Sequence, residues 1–115
     1  MLDIDPTKLQ AVVNSARLSA ANDQRWLHAI DRAAAELAEN PLIERMDDHL
    51  LIASSSSDRI YEANGRCQCK AFQSGQPCWH RAASRLVQRY TEAQANAERR
   101  ARWAAAQAAI DECFA

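Results

Sequence analysis

Apolar residues recur at helical spacing twice in the first third of the chain. Leu9, Val12, Val13, Ala16 and Ala20 share one face of a first helix, and Trp26, Leu27, Ile30, Ala34 and Leu37 one face of a second. Asp5 can cap the first helix with Pro6 at its first position, and Asn22 or Asp23 can cap the second. Asn40-Pro41 ends it, because proline disfavours helix at the residue before it. Residues 5–40 therefore predict a helical hairpin whose stripes pack into a core. After Pro41 the period changes. Residues 42–46 read as a short strand or an extended link, and 49–53 and 59–63 as two strands around the Ser54–Asp58 turn, with Asn64-Gly65 as a second tight turn. From Trp79 to Ile110 there is no glycine or proline, which predicts one long helix. Leu86, Val87, Tyr90, Ala93 and Ala97 supply its apolar face. Its alanine-rich second half, with Trp103 and Ile110, either projects or folds back on the hairpin. The fold class expected is α+β, mostly helical, in a single domain spanning 1–115.

At 115 residues the chain is long enough for one small core. Its 48% hydrophobic fraction is ordinary, but much of it is alanine, which buries little area. A metal staple is useful in such a domain. The opening Met1-Leu2-Asp3-Ile4-Asp5-Pro6 lacks the apolar run of a secretory signal, and no stretch is apolar enough to span a bilayer. A cytoplasmic protein without membrane contact is the expectation, and in that compartment clustered cysteines bind metal more often than they form disulfides.

Cys67-Gln68-Cys69 is followed, after eight residues, by Cys78-Trp79-His80. Three thiolates and one imidazole make a closed tetrahedral zinc set, and the loop between the pairs contains Gly75 and Pro77, which help it turn back. The first pair follows a predicted strand and the second begins the long helix, so the ion would tie hairpin to helix. Iron or another thiophilic metal suits the same donors; the plain alternative is three buried cysteines beside an incidental histidine. Four protein ligands leave no open position for water or substrate, and His80 is followed by Arg81-Ala82 rather than by the glutamate of zinc deaminases. No phosphate loop, paired nucleophile and base, or convergent carboxylates are visible, so no enzymatic activity is expected. Cys113 stands apart near the end and reads as a thiol outside the metal set; His28 and His49 lack chelating partners.

At these residues the chain resembles the SWIM zinc-finger family, whose pattern is Cys-x-Cys, a variable loop, then Cys-x-His. Tyr61 before the first pair, Phe72 after it and Pro77 directly before Cys78 belong to the match, which covers about residues 48–90. The resemblance implies a small ββα unit and a function in nucleic-acid binding, protein–protein binding, or both. One departure is Arg81, which stands where the family usually has an apolar residue. The helical hairpin and the C-terminal extension, residues 91–115, lie outside the resemblance.

Charge adds one further element. The net charge of −1 points to no partner, but residues 1–58 carry five basic and ten acidic side chains, whereas residues 59–102 carry nine basic and three acidic. Arg81, Arg85 and Arg89 recur every fourth residue, along one face of the long helix where it leaves the metal site, and Arg66 and Lys70 flank the first ligand pair. Either this is a solvated helix face or it is a phosphate-contacting surface. The reading that follows is a non-enzymatic zinc module that binds nucleic acid, DNA rather than RNA, through Arg66, Lys70, Arg81, Arg85 and Arg89. The competing reading is a protein–protein adaptor in which zinc is purely structural. An alanine-rich helix face also lets a second copy approach closely, which makes a homodimer conceivable.

Overall fold

The computed structural model describes residues 4–46, 49–53, 60–63, 73 and 75–114. Helix α1 spans Pro6–Ser19 and α2 spans Gln24–Glu39. Both start on an aspartate. The Asp5 carboxylate accepts the backbone N–H groups of Thr7 and Lys8 at 2.9 and 3.3 Å, and that of Asp23 accepts those of Arg25 and Trp26 at 3.1 and 3.2 Å. Each cap satisfies donors that a helix start otherwise leaves open. After α2, the Asn40 side-chain oxygen accepts the Leu42 N–H at 2.8 Å, turning the chain out of the helix at Pro41.

Strands β1 (Ile43–Met46), β2 (His49–Ala53) and β3 (Ile60–Ala63) form an antiparallel sheet in the order β1-β2-β3. Residues 42–46, ambiguous in sequence, thus supply a third strand. Ile43 pairs with Ile52, which also faces Tyr61, and Leu50 pairs with Ala63. Ile43, Leu50, Ile52 and Ala63 are all buried, so this alternate set marks the inner face of the sheet. The Ser54–Asp58 turn and Asn64-Gly65 lie outside the described residues.

Helix α3 runs from Trp79 to Cys113, 35 residues. Its first turns bury Ala82, Ala83, Ser84, Leu86 and Val87. Ala82, Ala83, Leu86 and Val87 join Leu9, Val13 and Ala16 of α1, Ala29, Ile30, Ala33 and Leu37 of α2, and the inner face of the sheet in one cluster. Many of these residues are alanines, and small side chains let the helices come close at the cost of buried area. The Tyr90 hydroxyl accepts the Asp5 N–H at 3.0 Å, tying α3 to the start of α1. Four residues on, the Lys8 ammonium of α1 donates to the Gln94 side chain at 3.3 Å, and beyond that the helix leaves the body: Ala93 and every residue from Ala95 to Phe114 are exposed. The apolar face expected to continue through Ala93 and Ala97 therefore ends near Tyr90. The projection accounts for extents of 64 × 32 × 21 Å. The fold is α+β and mostly helical, and among the described residues no helix is long and apolar enough to cross a membrane.

Candidate metal centre and the arginine face

Two of the four expected ligands are described, Cys78 and His80; Cys67 and Cys69 lie outside the described residues. Cys78 is the N-cap of α3. Its backbone is extended (φ −117°, ψ 144°), and its Sγ accepts the Arg81 N–H at 3.4 Å. A sulfur so placed faces the positive end of the helix. The residue is 3% exposed, so the cap and the core hold this sulfur in place together.

His80 lies two residues on, in the first turn of α3. Its ring meets that of Trp79, with centroids 4.2 Å apart, and that of Tyr61 of β3, 4.9 Å away, tilted by 37° and 38° respectively. Burial lowers its pKa from the ordinary imidazole value; the positive charge of Arg32 adds to the shift and Glu36 opposes it. The neutral imidazole is also the form that ligates a metal. Its Nδ1 is buried with no hydrogen-bond partner among the described residues. A buried ring nitrogen without a partner is costly in a core but suits a ligand atom. Cys78 and His80 therefore both fit a thiophilic cation. Among the described residues no group of three or more His, Cys, Asp and Glu side chains surrounds such a position. The Tyr61–His80 contact brings the end of β3 beside the second ligand pair, and Cys67 follows Ala63 by four residues, a span that reaches up to about 14 Å. Gly75, between the two pairs, has φ +74°, a left-handed conformation open to glycine at little cost.

The arginine face divides. Arg85 is exposed, with its guanidinium donating to Gln88 at 2.9 Å, and Arg89 is half-buried. Arg81 is also half-buried and places its guanidinium 5.5 Å from the centre of the Trp26 ring of α2. The charge that stands where an apolar residue is usual thus lies over an aromatic face. Arg66 and Lys70 lie outside the described residues.

Charge balance along the chain concealed α2's contribution. Arg32 lies 5.3 Å from the centre of the Trp79 ring, the mirror of the Arg81–Trp26 contact, so each helix sends an arginine onto a tryptophan of the other. Arg25 donates to the Gln76 side chain. Arg25, His28, Arg32, Gln76, Pro77 and Trp79 line a groove of about 430 Å3 beside the second ligand pair. Spacing was the available signal, since positions 25, 28 and 32 share a helix face. Cys113 is exposed on the projecting helix and far from the other cysteines in sequence.

The family model of the SWIM zinc finger matches residues 60–84, from the start of β3 to the second turn of α3. This match contains all four expected ligands and supports a zinc-binding module in this part of the chain. The comparisons with curated proteins and with solved structures give no match.

Proposed function

We propose that the chain is a non-enzymatic, zinc-ordered module that binds nucleic acid, DNA rather than RNA, through the basic surface around the start of α3. Cys67, Cys69, Cys78 and His80 would hold the ion, which supplies a closed tie between the segment after β3 and the first turn of α3. The chain's own groups do the binding. Arg81 and Arg85 leave the helix one and five residues after His80, so fixing that residue also fixes the rotation of the arginine-bearing face. That placement is the observation that carries the reading. Arg66 and Lys70 flank the first ligand pair in sequence and extend the surface.

Fluorescence anisotropy with duplex and single-stranded DNA and with RNA at several salt concentrations tests this. Three phosphate contacts imply a slope of log affinity against log salt of about −3 on duplex DNA. Replacing Arg81, Arg85 and Arg89 together with alanine should flatten that slope and weaken all sequences about equally, because phosphates carry no sequence information. Zinc-loaded, folded protein that binds none of the three at low salt would overturn the reading. It would leave the adaptor with structural zinc, which the exposed Trp103, Ile110 and Phe114 favour.

A further inference from the structure

The projecting part of α3 carries large apolar side chains in water: Trp103 is 73% exposed, Ile110 52% and Phe114 86%. At about 100° per residue, Ile110 and Phe114 fall within about 20° of Trp103 around the helix, and Ala106 about 60° away. These four residues form one stripe along the outer half of the helix, and among the described residues nothing from the body of the chain packs on it.

The charges beside the stripe are ordered. Arg100 and Arg102 lie toward the body, on opposite sides of the stripe, and Asp111 lies toward the tip. Arg100 and Asp111 flank it on the same side, about 60° and 80° from Trp103. When two helices pair antiparallel about a two-fold axis, same-side flanks meet. Such pairing sets Arg100 of each copy against Asp111 of the other, twice per pair, with the axis near Ala105 and Ala106. The exposed stretch, Ala95–Phe114, is nearly centred on that point, so the two helices overlap along it without driving either body into its partner's helix. Small side chains at the crossing admit close approach. Parallel pairing instead brings opposite flanks together and sets Arg100 against Arg102 of the other copy, which is repulsive.

We infer that the projecting half of α3 is a self-association surface, and that its occupant is a second copy of this chain held antiparallel by the Trp103–Ala106–Ile110–Phe114 stripe and two Arg100–Asp111 pairs. This inference is independent of the nucleic-acid reading, because the stripe shares no residue with the Arg81–Arg89 face.

Sedimentation equilibrium on the zinc-loaded chain tests it, with circular dichroism confirming the helix in every variant. The wild type should show twice the 12.8 kDa chain mass. Trp103→Ala, Arg100→Glu and Asp111→Arg should each give the chain mass alone. Mixing Arg100→Glu with Asp111→Arg in equal amounts should restore the doubled mass, since each copy then offers the charge the other lacks. A wild type that stays at the chain mass up to about 500 µM would overturn the inference. So would single variants that remain doubled, a mixture that stays at the chain mass, or ready oxidation joining Cys113 to Cys113, which antiparallel pairing holds more than 20 Å apart by helix rise, roughly 1.5 Å per residue.

Discussion

Removing the Arg81 guanidinium should loosen the join between α2 and α3, an effect separable from any loss of phosphate contact. The guanidinium carbon lies 5.5 Å from the Trp26 ring centre, inside the range of about 6 Å over which a cation is drawn to an aromatic face. Such contacts contribute about 0.5–1 kcal/mol when exposed and about 2 kcal/mol when desolvated. With both partners half-buried, a coupling of about 1 kcal/mol is expected. In a domain of this size that corresponds to a fall in melting temperature of about 4 °C. The assay is a double-mutant cycle: urea denaturation of zinc-loaded wild type, Arg81→Ala, Trp26→Leu and the double variant. The cycle isolates the pair from whatever else Arg81 touches. Arg85→Ala is the control; its side chain is exposed, and the change should stay within about 0.5 kcal/mol. Two single losses that add without coupling, to within about 0.3 kcal/mol, would refute the argument.

Metal content and folding should move together, and the cap on α3 lets the two roles of Cys78 be separated. Cys78→Ser keeps an oxygen to cap the helix but removes a thiolate, so elemental analysis should fall from one zinc per chain while the helix start remains capped; Cys78→Ala should lose about 1 kcal/mol more, in chemical denaturation of the metal-free forms. His80→Ala should likewise abolish stoichiometric zinc, and zinc retained at one per chain would remove it from the ligand set. Cys113→Ser should leave zinc content unchanged, because the residue is exposed on the projecting helix, whereas loss of metal in that variant would mean that it supplies a ligand.

Local signals in the sequence carried most of the architecture. Asp5-Pro6, Asp23 and Asn40-Pro41 mark helix ends by chemistry within a few residues, and the helices begin and end there. The uninterrupted run after Pro77 predicted the long helix, observed as Trp79–Cys113. The match to the SWIM zinc finger agrees with the ligand spacing. Long-range features were less legible. Leu42–Met46 is too short for its period to distinguish strand from link, and its pairing with β2 decides the matter. The same was true of whether the second half of α3 projects, because a face of alanines suits water as well as a thin contact. The Arg81–Trp26 and Arg32–Trp79 contacts join residues some fifty positions apart, and no periodicity within one helix reveals a partner on another. Summing charge along the first 58 residues likewise hid the placement of Arg25 and Arg32 beside the second ligand pair.

Because α3 is a single helix, it works as a lever with the two expected metal ligands, Cys78 and His80, at its fulcrum. Cys78 caps its first residue and His80 sits in its first turn, while its far end lies about 50 Å away by helix rise. A tilt of 10° about that first turn sweeps the tip through about 9 Å. Small adjustments of the Cys78 and His80 side chains are therefore magnified at Trp103 and Phe114, and a load on the tip returns as torque on the turn that carries both residues. Leu86, Val87 and the Tyr90–Asp5 hydrogen bond act as the bearing that resists that torque.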